Sequence, residues 1–253
     1  MQVARTTVIV TGGARGIGAT YVRALAAGGA QVVIADILQK EGEALAREVT
    51  LQPDGRAIFV WTDVAKQADA TRLAHATAEN FGSIDVLVNN AAIYSDLGAK
   101  KPFDHISEAE WDNVMSVNVK GPWQCAKAVL PYMQRQRHGK IINVSSSTIY
   151  AGTPGLAHYV ASKAAVIGLT RSLARELGAH NICVNAIAPG LVFNEASTRL
   201  NPREYFEGAL SKRAIQRLMV PTDLVGTLLF LASASSDFIT GQTFVVDGGA
   251  EMI

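Results

Sequence analysis

Residues 7–11 (TVIVT) run straight into Thr11-Gly12-Gly13-Ala14-Arg15-Gly16-Ile17-Gly18, and a helical pattern, ATYVRALAAGG, follows at once. Strand, glycine-rich turn and helix in that order leave little choice of fold. The β-branched run suits a pleated, buried surface. The glycines permit a tight turn and close backbone approach. The helix that starts there presents unpaired N–H groups and the positive end of its dipole, which together suit a phosphate. A second strand, Gln31-Val32-Val33-Ile34-Ala35, ends at Asp36, eighteen residues after Gly18. An acid about 20 residues beyond such a loop stands where the ribose hydroxyls of a dinucleotide are held. Gly12, Arg15, Gly16, Ile17, Gly18, Asp36 and Ile37 are therefore candidate cofactor ligands. A carboxylate accepts hydrogen bonds from both ribose hydroxyls but repels a 2′-phosphate, and Ile37 supplies no cation to offset that repulsion. NAD is the expected cofactor; Arg15, in the loop, leaves some NADP use open.

The remaining chain repeats the alternation. Residues 56–62, 84–89, 139–145, 181–187 and 242–246 read as further strands, and helical patterns lie near 17–28, 39–50, 67–81, 108–136, 158–178 and 222–233. Strands alternating with helices predict a parallel sheet covered on both faces. Val86-Leu87-Val88 and Ile141-Ile142-Asn143-Val144 are the apolar runs that buried parallel strands require. Pro131 lies inside the longest helical pattern and predicts a kink, since an internal proline costs about 3 kcal/mol. No repeat, low-complexity tract or linker interrupts the chain, so one α/β domain over residues 1–253 is expected.

Charged residues make up 18% of the chain and apolar residues 49%, a balance that points to surface hidden in an oligomer. The net charge of +1 gives no basis for binding nucleic acid or an acidic membrane. Cys125 and Cys183 make no disulfide framework. The first apolar run, Val8 to Val10, is too short for a signal peptide, and no stretch reaches the length of a membrane span. The expected location is the cytoplasm. His75, His105, His138, His158 and His180 lack metal-ligand spacing, so no metal site is expected.

Tyr159 and Lys163 are four residues apart in a helical stretch, downstream of Ser145-Ser146-Ser147. Positions i and i+4 share a helix face. A tyrosine of pKa about 10 needs roughly 4 kcal/mol of help to be half-ionised at pH 7. A unit charge at about 4 Å, in an effective dielectric near 20, supplies roughly that much. The pair has the makings of an acid/base device.

Taken together these segments resemble the short-chain dehydrogenase/reductase family over essentially the whole chain. The matching stations are Thr11 to Gly18, Asp36, Asp63-Val64, Asn89-Asn90-Ala91-Ala92, Asn118, Ser146, Tyr159 with Lys163, Asn185 to Gly190, and Asp247-Gly248-Gly249. The resemblance implies a doubly wound Rossmann-type fold with about seven parallel strands and a nicotinamide-dependent oxidoreductase, usually a homotetramer. It implies Asn118, Ser146, Tyr159 and Lys163 as the catalytic set: Tyr159 moves the proton, Ser146 holds the reacting oxygen, and Lys163 holds the nicotinamide ribose and lowers the Tyr159 pKa. Asn118, by the same resemblance, holds through its amide a water that links Lys163 to solvent. Asp63 and Val64 then meet the adenine, with helix capping as the alternative role for Asp63, and Asn90, Ala91, Ala92, Pro189, Gly190 and Val192 complete the cofactor site. Three positions depart from the family's pattern: Ala92 replaces a glycine, Asn194 a threonine and Cys183 an arginine.

Residues 191–219 show no strand and only short helical patterns, as a substrate lid does. Tyr94, Ser146, Tyr150, Leu156, Tyr159 and Phe193 are the candidate substrate contacts, suggesting an apolar, partly aromatic pocket for a bulky secondary alcohol or ketone. Arg199, Arg203, Lys212, Arg213 and Arg217 offer a different reading, attraction of an acidic carrier or carboxylated substrate. Three functions follow: an NAD-dependent secondary-alcohol dehydrogenase, a 3-oxoacyl-thioester reductase, and a non-catalytic dinucleotide-binding sensor or scaffold.

Overall fold

The computed structural model describes residues 3–253. The aliphatic and β-branched runs form β1 (Thr7–Thr11), β2 (Gln31–Asp36), β3 (Arg56–Trp61), β4 (Val86–Asn89), β5 (Gly139–Val144), β6 (Ile182–Pro189) and β7 (Thr243–Val246). They make one parallel sheet in the order β3-β2-β1-β4-β5-β6-β7. Between them lie α1 (Gly16–Ala27), α2 (Gln39–Thr50), α3 (Gln67–Phe81), α4 (Glu108–Met115), α5 (Gly121–Gln136), α6 (Thr148–Ala151), α7 (Ala157–Leu177), α8 (Glu195–Leu200), α9 (Arg203–Leu210) and α10 (Val225–Ala232). Among the described residues no helix is long and apolar enough to cross a membrane.

Both sheet faces are buried, and β1 shows how. Val8 and Val10 pack on one side with Val22 and Leu25 of α1 and Leu228 and Leu231 of α10. Ile9, between them, packs on the other with Leu73 of α3, Met133 of α5 and Leu177 of α7. The two-residue period of a strand makes that division. Each such aliphatic side chain contributes up to about 1.5–3 kcal/mol on full burial.

Strand order reverses between β1 and β4, and in sheets of this kind the ligand crevice lies beyond the carboxyl ends of the strands at that point. Thr11 and Asn89 are register partners, so the glycine loop and the Asn90–Ala92 segment emerge side by side. Behind them a buried chain of amides locks the layers together. Asn89 Nδ2 donates to Asn143 Oδ1 at 2.9 Å, and Asn143 Nδ2 donates to Thr170 Oγ1 of α7 at 2.9 Å.

The 108–136 pattern breaks at a place the sequence did not suggest. α5 continues through Pro131. The interruption is a π-helical turn at Ser116–Lys120, closed by the Gly121 N–H on the Ser116 carbonyl. Pro122 has no N–H to offer the Asn118 carbonyl one turn earlier. The wider turn puts Asn118 at its centre, buried.

Candidate active site

The glycine loop is shaped by close approach. A Cβ on Gly12, whose φ is +61°, would stand 2.7 Å from Ala91 Cα, and one on Gly18 would stand 2.0 Å from the Gly12 carbonyl oxygen. Asn90 Nδ2 donates to the Thr11 and Gly12 carbonyls at 3.1 and 2.9 Å, while Thr11 Oγ1 accepts from the Asn90 and Ala91 amides at 3.1 Å each. No side chain caps α1. A Cβ on Gly16 would meet nothing nearer than Asn194 Nδ2, at 3.8 Å. Uncapped amides beside an open cradle fit a pyrophosphate. Asp36 accepts from the Ala14 amide through Oδ2 at 3.0 Å and from the Leu38 amide through Oδ1 at 3.1 Å. Each oxygen keeps acceptor capacity for a ribose hydroxyl. These residues fit a dinucleotide.

Every residue expected to hold the cofactor lines one cleft of about 1140 Å³: Gly12, Arg15, Gly16, Ile17, Gly18, Asp36, Ile37, Asp63, Val64, Asn90, Ala91, Ala92, Tyr159, Lys163, Pro189, Gly190 and Val192. Asp63 is not a helix cap; its Oδ1 accepts from the Ala65 amide at 3.0 Å, and α3 starts after Lys66. The Arg15 guanidinium is directed to Ser95 Oγ at 3.2 Å and Asp96 Oδ2 at 3.4 Å. Both members of that ion pair are well exposed, so it is a weak tether. Asn194 uses Oδ1 to accept from the Ser197 amide and cap α8, which leaves its Nδ2 over Gly16.

Ser146, Tyr159 and Lys163 line the same cleft and are buried. Parallel pairing of β5 with β6 fixes the serine segment, and Ser145 Oγ, donating to the Lys163 carbonyl at 2.7 Å, ties it to α7. Ser146 Oγ accepts from Thr148 Oγ1 at 3.0 Å. Lys163 Nζ donates to the Val144 carbonyl at 2.8 Å and lies 5.7 Å from the Tyr159 ring centre. Burial pushes the Tyr159 phenol well above its ordinary pKa, Tyr94 adds to the rise, and the hydrogen bond from Ser146 opposes it. Burial lowers Lys163 to about 8. The ammonium is thus anchored to a strand carbonyl on the ring side of Tyr159.

Three further expectations change. Asn118 does not line the cleft, and its amide is already engaged: Oδ1 accepts from the Ile93 N–H at 2.7 Å, and Nδ2 donates to Ser162 Oγ at 3.1 Å and the Ile93 carbonyl at 3.3 Å. Tyr150 does not line the cleft either. On α6, Thr148 and Ala151 face it, and a helical step of three residues turns Ile149 and Tyr150 elsewhere. Phe193 is also absent from the cleft wall. It alternates with Val192 and Asn194 along an extended segment and stacks edge-on against Phe206 at 5.2 Å. Tyr94 and Leu156 do line the cleft, with the Tyr94 ring 5.2 Å from that of Tyr159. Tyr205 of the lid lines it too, as do Lys100, Asn113, Asn201 and Glu204, which carry no motif that would single them out as site residues.

A family model described as enoyl-(acyl carrier protein) reductase matches residues 12–251. A probable galactose dehydrogenase of Rhizobium meliloti is 39% identical over 243 residues, 96% of this chain and 93% of that one. A 3-oxoacyl-(acyl-carrier-protein) reductase of Staphylococcus aureus is 40% identical over 245 residues, 96% of this chain and 97% of its own. The chain is a short-chain dehydrogenase/reductase. The crystal structure of a levodione reductase superposes with a TM-score of 0.90 at 30% identity, covering 97% of both chains. This short-chain dehydrogenase/reductase is thus an oxidoreductase by family. Among its described residues no group of three or more His, Cys, Asp or Glu side chains is placed to hold a metal.

Proposed function

We propose that the chain transfers hydride between a secondary alcohol and NAD, releasing the ketone, with Ser146, Tyr159 and Lys163 as its catalytic residues. The observation that carries this reading is the buried Tyr159 phenol hydrogen-bonded by Ser146 inside the cleft that Asp36 helps to line. Bound NAD supplies hydride acceptance. In oxidation Tyr159 takes the hydroxyl proton while Ser146 fixes the same oxygen, and reduction reverses both roles. Lys163 favours the phenolate electrostatically and holds the nicotinamide ribose. Asn118 positions the Ile93 loop against α7, and a relay from Lys163 to solvent would use its backbone carbonyl, which lacks the usual helical donor. Residues 191–219 act as the substrate lid. The half-exposed Trp111 and Trp123 on α4 and α5 support assembly, for which we propose a homotetramer.

The thioester-reductase reading is favoured by the identity to the Staphylococcus aureus reductase and by Lys100 and Lys212 in the cleft wall. The other lid cations are engaged: Arg199 with Glu195, Arg203 with Glu207, Arg217 with Asp223, and buried Arg213 with the Leu191 and Arg217 carbonyls. Asp36 also opposes the 2′-phosphate of NADPH. Turnover of NAD(H) and NADP(H) against alcohols, ketones and acyl thioesters tests the choice. kcat/KM with NAD should exceed that with NADP by at least about tenfold, or ~1.4 kcal/mol. A preference for NADP overturns the role given to Asp36.

The charges set a pH dependence. Reduction consumes the phenol proton and uses the Lys163 charge. Because Lys163 is lowered to about 8, its charge is lost as pH rises through that value. kcat/KM for ketone reduction should fall as pH rises through about 8, whereas alcohol oxidation, which needs the phenolate together with the Lys163 charge that favours it, should start low at neutral pH and rise only until that charge is lost near pH 8. Profiles measured in both directions check this.

A further inference from the structure

A hydroxyl has one hydrogen to donate and two lone pairs with which to accept. Both lone pairs of buried Ser146 are met by a single residue. Its Oγ accepts from the Thr148 amide at 3.3 Å and from Thr148 Oγ1 at 3.0 Å. Thr148 Oγ1 has no other hydrogen-bond partner among the described residues, so its hydrogen goes to Ser146. The Ser146 hydrogen is left for the oxygen of Tyr159, to which that side chain is bonded.

Thr148 is held in place for this. The chain is fixed on both sides of it, by the Ser147 N–H on the Pro189 carbonyl at 2.9 Å and the Gly152 N–H on the Thr148 carbonyl at 2.9 Å. Its branched side chain is stiff about χ1. It lines the cleft with Ser146 and Tyr159. The consequence is chemical. A Ser146 oxygen with a free lone pair would accept the Tyr159 hydrogen, turning the acid's proton away from the ketone in reduction. With both lone pairs filled Ser146 only donates, to the phenol oxygen before substrate binds and to the reacting oxygen afterwards.

We propose that Thr148 is a positioning residue that makes Ser146 a donor only, so that Ser146 and Tyr159 both serve the reacting oxygen rather than each other. This rests on the reading of Ser146 and Tyr159 as catalytic. The test is a double-mutant cycle on the holoenzyme with Thr148→Val, Ser146→Ala and both together, assayed on the alcohol–ketone pair of highest turnover. Thr148→Val keeps the shape and the amide and loses only the hydroxyl. It should lower kcat by about tenfold in both directions, with KM and the NADH Kd nearly unchanged, and Thr148→Ser should recover most of the loss. In the Ser146→Ala background Thr148→Val should cost nothing further. Full kcat in Thr148→Val, or the same loss recurring without Ser146, overturns the proposal. Full turnover by Ser146→Ala overturns the catalytic reading of Ser146, and the role of Thr148 with it. The Tyr159 Cζ resonance of protein carrying isotope-labelled tyrosine, assigned with Tyr159→Phe, reads the Ser146 bond without turnover. It should shift in Thr148→Val and return in Thr148→Ser, and an unmoved resonance overturns the proposal. If no alcohol or ketone is turned over but the resonance behaves as expected, the assignment of Thr148 stands and the dehydrogenase reading falls. NADH binding reports that each variant is folded, and Thr148→Ala provides the same comparison if Thr148→Val does not bind it.

Discussion

Tyr159→Phe should lower kcat by about 10²- to 10⁴-fold, the contribution of a positioned acid/base group, while Kd for NADH changes little. The ring's surroundings explain the separation. Tyr159 is buried against Tyr94, and a phenylalanine keeps that packing and loses only the hydroxyl beside Ser146. The loss is therefore one of chemistry, not of fold. Steady-state rates in both directions, with an NADH fluorescence titration as the control, measure it. Retained turnover would overturn the assignment of Tyr159. Abolished turnover with intact NADH binding would also set aside a purely cofactor-sensing role, because such a role needs no hydroxyl there.

Gly18→Ala should have the opposite signature, with cofactor affinity lost first. A Cβ at this position would lie 2.0 Å from the Gly12 carbonyl oxygen and 2.8 Å from Asn90 Nδ2. Neither neighbour can retreat easily. The first is backbone of the loop itself, and the second is bonded to Thr11 and Gly12. The loop must open, and the amides at the start of α1 move with it. Overpacking of this kind costs about 1–3 kcal/mol, equivalent to about 5- to 150-fold in NADH Kd if it falls on the bound state. The same substitution should lower Tm by several degrees, at about 2–4 °C per kcal/mol for a chain of this size. Unchanged NADH affinity would show that the loop does not hold the pyrophosphate.

What could be read from the sequence follows the range of the interaction involved. β1, the loop and α1 were legible because their signals are consecutive: branched residues, glycines, then helix formers. The strand–helix alternation from β2 to β7 was legible for the same reason, and its expected boundaries fall within a few residues of the observed ones. Ser146, the one of three serines that the family resemblance implies, lies with Tyr159, while Ser145 is turned onto the Lys163 carbonyl. The π turn at Ser116–Lys120 has its local signal in Pro122, whereas Pro131, the breaker inside the longest helical pattern, lies within an unbroken α5. Tyr150 and Phe193 were misjudged because helical and extended phase, not composition, decides which of adjacent residues faces a cleft. Asn201 had no local signal at all.

The sequence alone determined the fold class, the dinucleotide loop, the acid at Asp36 and the Tyr159–Lys163 face, since each depends on residues a few positions apart or on the period of one element. Only the tertiary structure decided that Lys163 is held on the Val144 carbonyl, and that burial raises Tyr159. It alone showed that the Asn118 amide is spent on Ile93 and Ser162. Those outcomes depend on desolvation and on partners distant in the chain. Both are properties of how the layers close over one another, and neither is written in any single segment.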